Sequence, residues 1–180
     1  GVDSGRINMV VNLSTSNKTK DWDIQNYIDV SRLAAEKYAV NLLLIGAGEM
    51  AFEYAEKYQK QLPCSYNLVN RTTLRQTAEI IRRSRVYLGG DTGPLHMAAA
   101  FGLKGIAIYK NAKNIKKRPR PDEWYGPWKS QIHVVQPKSN LPGCEYECAK
   151  DAHCINQVTV AEVFDVMDGI LSRLDAGFSG

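Results

Sequence analysis

Apolar and polar residues along this chain come in blocks, and the blocks switch between two periods. "INMVVNL", residues 7–13, is apolar with no helical repeat and runs into the polar "STSNKTKD", the pattern of a buried strand entering a loop. From Trp22 to Tyr38, apolar or small residues fall at Ile24, Tyr27, Ile28, Ser31, Ala34, Ala35 and Tyr38, the spacing of a helix with one buried face. Asp21 is placed to cap that helix. The switch then repeats. "NLLLIG" predicts a second strand, residues 50–62 a second helix and "YNLV" a third strand. Thr73-x-x-Gln76 has the form of a capping box and opens a helix to about Arg83. "VYLGG" is a fourth strand, Pro94 to Phe101 a short helix closed by Gly102, "GIAIY" a fifth strand and "IHVVQ" a sixth. A last helix starts after Thr159, with Glu162 completing a capping box and Val163, Phe164, Met167, Ile170, Leu171 and Leu174 on one face.

Strands and helices alternate throughout, with no internal repeat, so the expected fold is α/β: a doubly wound sheet of parallel strands with ligands beyond the strand C-termini. At 180 residues the chain fits a single domain, 1–180, with "GVDSGR", residues 1–6, as a remnant or linker outside the core.

Composition narrows the class without naming a function. The hydrophobic share of 44% and charged share of 23% are those of a globular protein. No apolar run approaches the roughly 18 residues of a membrane span, and no signal-peptide core opens the chain, so a soluble cytoplasmic protein is expected. The net charge of +4 is modest, yet Lys110, Lys113, Lys116, Lys117, Arg118 and Arg120 crowd one segment. That segment reads as a contact for an anionic partner or as a solvated loop. No nucleic-acid motif accompanies it. Cys64, Cys144, Cys148 and Cys154 do not form a disulfide framework for a chain of this length. Cys144, Cys148 and Cys154 beside His153 allow a metal clip, but their spacing is looser than that of paired zinc ligands, so thiols or a local disulfide are the plainer reading.

Two stretches compete for the chemistry. Gly46-Ala47-Gly48-Glu49-Met50-Ala51 follows a strand and matches G-x-G-x-x-G/A, which reads as the NADP-binding turn of an oxidoreductase, with Asn70, Arg71 and Thr72 meeting the 2′-phosphate. Against this, the turn follows the second strand of the sheet, whereas the fingerprint belongs after the first. The other stretch is "VYLGGDTGPLHMAAAFGLKG", residues 86–105. Here a strand ends in Gly89-Gly90, Asp91-Thr92-Gly93 turn into a helix beginning at Pro94, and free amides near Leu95 and His96 sit at the positive end of the helix dipole. That is an anion cradle. His96 reads as a ligand contact or as a satisfied structural histidine. Asp91 would repel a phosphate, so it suits neutral hydroxyls or a cation, or simply forms the turn. The loop after the first strand adds Ser14, Thr15, Ser16, Lys18 and Lys20, neutral donors plus cations on the same sheet edge. Together the two loops could hold the two phosphates of a nucleoside diphosphate. A non-catalytic anion-binding module is a third class.

The segment "GGDTGPLHMAAAFGLKGIAIY" closely resembles the D-S/T-G-x-x-H-x-A-A-A motif of glycosyltransferase family 9, the ADP-heptose:lipopolysaccharide heptosyltransferases. "KTKDWDIQNYIDVSRLA", "NRTTLRQTAEIIRRSRVYLGGDTG" and the cysteine-containing tail before the last helix are similar to further segments of that family, over roughly residues 8–171. The resemblance implies a Rossmann-like domain, the C-terminal, nucleotide-sugar-binding half of a two-domain GT-B enzyme. The half that holds the acceptor and supplies the general base has no counterpart here, so an isolated chain that binds donor without turnover is expected. No cofactor is implied beyond the ADP-sugar donor, and a divalent cation is compatible but not required. Residue by residue, Thr15 and Ser16 match phosphate-loop hydroxyls and Lys20 the lysine on the diphosphate. Glu49 falls near the acidic residue on the adenosine ribose, and Thr72 near a position lining adenine. Asp91, Thr92, Gly93 and His96, with Leu95 between them, match residues around the pyrophosphate and sugar. The implied acceptor is lipopolysaccharide core or another anionic glycan at the inner face of the inner membrane, met in part by the 110–120 loop. One departure stands out: after the fifth strand the family usually continues "FGpTdP", and this chain has "YKNAKNIKKRPRP".

Overall fold

The computed structural model describes residues 2–14, 18–112, 116, 123, 125–144, 146 and 154–176. Six strands form one sheet: β1 Ile7–Asn12, β2 Val40–Ile45, β3 Tyr66–Asn67, β4 Val86–Gly90, β5 Lys104–Ile108 and β6 Gln131–Val135. Their order is β3-β2-β1-β4-β5-β6 and every pairing is parallel. Such a sheet is covered on both faces, which is why β2 is buried along its whole length and, Asn41 apart, reads as an apolar run.

Alternate residues of the central strands serve opposite faces. Met9 and Val11 of β1 and Leu42 and Leu44 of β2 pack with the helices α1 Ile24–Lys37, α2 Glu49–Gln61 and α5 Val160–Asp175. Val10, Leu43, Ile45 and Tyr87 face the other way, toward α3 Leu74–Arg82 and α4 Gly93–Ala100. The predicted elements therefore all form, with ends that move by a few residues. Both capping boxes are complete, Thr73 with Gln76 and Thr159 with Glu162. α4 ends in a Schellman turn: Gly102 has φ +74°, Leu103 N–H donates to Ala98 C=O and Gly102 N–H to Ala99 C=O.

Two expectations at helix starts are corrected. Asp23, not Asp21, caps α1: its Oδ1 accepts from Gln25 N–H at 2.8 Å. The reason lies in Trp22, which is 1% exposed, donates its indole N–H to Val158 C=O at 2.9 Å and meets Tyr27 edge-on. Pinning Trp22 there keeps residues 21–23 outside the helix. The second correction is that α4 begins at Gly93, with Pro94 as its second residue.

Of the polar residues in the strands, Asn12, Asn41 and Asn67 are buried, and Asn12 is informative because it ends β1. It is 2% exposed at the C-terminal end of β1. In the order found, β1 and β4 are the neighbours whose chains leave in opposite directions, and that point is where doubly wound sheets take their ligands.

Candidate functional site

The site is built on the switch point between β1 and β4. From β1, Asn12 donates its side-chain N–H to Ser14 C=O and to Thr92 Oγ1, both at 3.0 Å. A 3-10 turn, Lys18–Lys20, then carries Lys20, whose ammonium lies 2.8 Å from Asp91 Oδ2. From β4, Gly89 and Gly90 lead into Asp91 and Thr92. Tyr87 explains Gly89: its phenol curls under the strand end, and a methyl group on Gly89 would sit 2.5 Å from the Tyr87 hydroxyl. Burial holds that phenol protonated well above its ordinary range, against the hydrogen bonds to Thr92 and Asn12 that pull the other way.

Thr92 occupies the N-cap position of α4, yet its side chain does not cap the helix. Its hydroxyl is turned to Asn12 instead. Of the two amides expected to be free, Leu95 N–H donates to Thr92 C=O at 3.1 Å. Starting the helix one residue early tightens its first turn and engages that amide. Leu95 is fully buried, whereas His96 is exposed on the first turn. The cradle is thus narrower than the sequence suggests: the mouth of α4 is formed by Gly93, with Lys20 and Asp91 across it.

The Gly-rich turn is used differently. Gly48 N–H donates to Asn70 Oδ1 at 2.9 Å, Asn70 Nδ2 donates to Gly48 C=O at 3.2 Å, and Asn70 N–H donates to Gly46 C=O at 3.1 Å. Asn70 takes the left-handed conformation, φ +58°, to make this clip. A dinucleotide turn needs its glycine amides for the pyrophosphate, and here the Gly48 amide is engaged. With the turn also following β2 rather than β1, the oxidoreductase reading is not favoured.

Beside that turn lies a cavity of about 890 Å³. Asp21, Asp23, Glu49 and Glu53 line it, together with Tyr54 and Ser14. Its field is negative: burial first, then Asp21, Asp23 and Glu53, push the Tyr54 phenol up. Phosphate is repelled from such a cavity, while a hydroxyl-bearing ligand is suited to it. Thr72 does not line the cavity; its hydroxyl is 2.8 Å from that of Thr77. Lys20, Asp91, Thr92 and Gly93 thus gather at one place, His96 stands exposed on the first turn of α4, and Glu49 lines the cavity.

Several expectations fall outside the described residues: Thr15 and Ser16 in the first loop, Lys113, Lys117, Arg118 and Arg120 in the basic segment, and Cys148 with His153. Lys116 is exposed, but Lys110 is not part of an exposed cluster: it is 8% exposed and donates to Thr19 Oγ1 at 2.9 Å. Cys144 and Cys154 share a small buried cluster with Leu141, and Cys64 is exposed. Among the described residues no group of three or more His, Cys, Asp or Glu is gathered to hold a metal ion. No helix among them is long and apolar enough to cross a membrane. Reasoning from sequence missed Asn12 and Tyr87, and it gave Asn70 only as a 2′-phosphate contact, not as the clip on Gly48. A polar residue ending an apolar strand was the available signal for Asn12; nothing local marks the other two.

An all-parallel sheet in this order, with its polar side chains gathered at the switch point, defines a Rossmann-like α/β domain. The family model for glycosyltransferase family 9 (heptosyltransferase) matches residues 2–153. The chain belongs to glycosyltransferase family 9. It is 25% identical over 122 residues to the lipopolysaccharide core heptosyltransferase OpsX of Haemophilus influenzae, covering 66% of this chain and 34% of that protein. It is 26% identical over 108 residues to the lipooligosaccharide heptosyltransferase 2 of Campylobacter jejuni, covering 58% of this chain and 33% of that protein. Among solved structures, E. coli ADP-heptose LPS heptosyltransferase II superposes with a TM-score of 0.74 at 17% identity, covering 96% of this chain and 49% of that one. E. coli heptosyltransferase WaaC, solved with ADP, gives 0.70 at 16% identity, covering 92% and 45%. The chain therefore has the fold of about half of those enzymes, and it spans about a third of the length of these two curated relatives.

Proposed function

We propose that the chain is the donor-binding domain of a glycosyltransferase that moves a heptose-type sugar from an ADP-sugar to a lipopolysaccharide core or related anionic glycan. The observation that carries this reading is the Lys20–Asp91 pair at the mouth of α4, 2.8 Å apart, directly beside an acidic cavity lined by Glu49. The two halves of a nucleoside diphosphate sort themselves by charge. The diphosphate goes to Lys20 and the Gly93 end of α4, and the ribose hydroxyls go to Glu49. An ammonium has three donor hydrogens, so Lys20 can keep Asp91 on one and offer another to a phosphate oxygen. When the glycosidic bond to phosphate breaks, negative charge grows on the departing ADP. Lys20 and the helix dipole are already aimed at that charge and stabilise it more than the ground state. Asp91, too negative for phosphate, faces the sugar hydroxyls, and His96 lies one turn along α4. The acceptor and the general base come from elsewhere in the full enzyme, at the cytoplasmic face of the inner membrane. Thr15 and Ser16 add hydroxyls to the diphosphate, and a divalent cation is not required.

Thermal denaturation with ADP, UDP, GDP and NADPH tests this reading. Selective stabilisation by ADP, about 2.7 kcal/mol at a hundred times Kd, is expected. Stabilisation by NADPH alone would restore the oxidoreductase reading, and no response to any nucleotide would leave an anion-binding module.

A further inference from the structure

The N-terminal ends of the strands form an edge that the donor site does not use. β4 runs five residues from Val86 to Gly90, so this edge lies about 15 Å from the turn at Asp91. Two cavities open on it. One, of about 500 Å³, is lined by Arg82 and Arg83 at the end of α3, Arg85 before β4, Lys104 at the start of β5, and Phe101 with Leu174. The other, of about 380 Å³, shares Lys104 and adds Arg173 of α5 with Gln131 and His133 of β6. Arg82, Arg83, Arg85, Lys104 and Arg173 thus line the pair, and no carboxylate among the described residues does.

Helix ends account for part of this charge. Arg82 and Arg173 lie in the last turns of α3 and α5, where a cation suits the helix dipole. Arg82 and Arg83 also share one partner, Glu79. Arg85 and Lys104 are different, because they stand at strand starts where no dipole calls for them. Neither they nor Arg173 has an ion-pair partner among the described residues. Val86 pairs with Lys104 and Lys104 with Gln131, so the basic residues stand on adjacent strands roughly 5 Å apart. Like charges gathered without counter-charge repel one another, and an external anion relieves them.

The same edge carries exposed aromatic surface. Phe101, at the C-cap of α4, is 43% exposed. Trp128, three residues before Gln131, is 80% exposed, the most of any large hydrophobic among the described residues. The Lys129 ammonium sits 4.6 Å from the centre of its ring. Cations interleaved with exposed Trp and Phe suit the headgroup layer of an anionic membrane, where charge meets phosphate and the rings rest at the interface. A small soluble anion would engage the cations and leave the rings in water. A nucleic-acid strand stacks its bases on rings set within a basic groove, whereas Trp128 lines neither cavity.

We infer that this edge docks on an anionic phospholipid surface, with Arg85, Lys104 and Arg173 on lipid phosphates and Phe101 and Trp128 in the headgroup layer. Lipid and nucleotide then occupy opposite edges of the sheet and bind independently.

Co-sedimentation tests this with vesicles of phosphatidylcholine alone and of equal parts phosphatidylcholine and phosphatidylglycerol. Wild type should bind only the second. Arg85→Gln combined with Lys104→Gln should weaken that binding about thirtyfold, two charges at about fivefold each. Trp128→Ala should weaken it about fivefold, as for partial burial of one aromatic ring. Lys57 and Lys60 are exposed on α2, which packs on the other face of the sheet from α3 and α4. Changing both to Gln should weaken binding no more than about threefold. Equal losses in the two double variants would overturn the inference, since net charge alone would then be the cause. So would equal binding to both vesicle types, binding to neither, or preference for a duplex oligonucleotide over vesicles. Wild-type tryptophan emission, which needs no variant, should shift to the blue and be quenched by doxyl-labelled lipid in the anionic vesicles; unchanged emission counts against the docking. ADP should neither compete with the vesicles nor aid them, and competition would overturn the placement on this edge. Failure of lipid binding leaves the donor-binding reading as it stands.

Discussion

The Lys20–Asp91 pair makes opposite demands on its two members, and substituting each alone separates them. Unit charges 2.8 Å apart interact by about 6 kcal/mol at an effective dielectric of about 20 and by about 1.5 kcal/mol in bulk water. The side chains are 30% and 17% exposed, so screening and desolvation bring the net coupling toward the lower figure, about 1–2 kcal/mol. Lys20→Met leaves the Asp91 carboxylate half-buried without its cation and should cost about 2 kcal/mol of stability. Asp91→Asn keeps an acceptor for Lys20 and should cost about 1 kcal/mol. A double-mutant cycle by urea denaturation reads the coupling directly. Nucleotide binding should not follow stability. ADP affinity should fall about tenfold to a hundredfold in Lys20→Met, because a charge-assisted bond to phosphate is lost. It should hold or rise by about two- to threefold in Asp91→Asn, because a carboxylate competing for Lys20 is gone. Asp91→Asn should instead weaken the ADP-sugar relative to ADP. Loss of bare ADP binding in Asp91→Asn as severe as in Lys20→Met would refute this reasoning, for it would mean that the carboxylate reaches phosphate through a bound cation.

Glu49→Ala should weaken ADP by about three- to tenfold, leave inorganic pyrophosphate unaffected and create no response to NADPH, as calorimetry with the three ligands will show. Gly105→Ala should destabilise the fold more than Gly89→Ala. A methyl on Gly105 meets the Tyr87 backbone, whereas one on Gly89 meets mainly the Tyr87 phenol; both changes are read from denaturant midpoints. The α5 start carries a pH signature. Lys138, then the Thr159 backbone amide, pull the Glu162 carboxyl from 4.5 to about 2, and the ammonium of Lys37 likewise holds Asp168 below its ordinary range. Folded values lie below unfolded ones, so this stabilisation is complete above about pH 4.5 and disappears as pH falls toward about 2. The stability difference between wild type and Glu162→Gln should be present at pH 7 and vanish near pH 2; a difference that persists there would count against the assignment.

How far the sequence could be read depended on whether the causes were local. The strands of β1, β2 and β4 are apolar on both faces, and both capping boxes are formed within four residues, so elements and helix starts were legible from the letters alone. Lys20, Glu49, Asp91 and His96 stood out as candidates because the family's segments name them, but that Lys20 pairs with Asp91 and that Glu49 lines a cavity are facts of the folded chain. The role of Asn70 was not legible, since its task is to bond Gly48, twenty-two residues earlier, and that contact exists only once β2 and β3 lie side by side. The same holds for Lys110. Within "YKNAKNIKKRPRP" it looks like one more charge in a solvated loop, and only the distance to Thr19, ninety-one residues away, removes it from that company. Asp23 displaced Asp21 as the α1 cap for a similar reason, because the Trp22 anchor at Val158 is a tertiary contact.

The pairing of β1 with β4, Met9 with Val86 through Val11 with Leu88, also decides when the site can exist. Asn12 and Thr92 are eighty positions apart, and no shorter piece of chain contains both walls of the site. Closing so long a loop is an expense met late in folding and shared by the whole sheet. Nucleotide should therefore act on this domain as a global brace, slowing hydrogen exchange in the innermost strands as much as in the loops it touches.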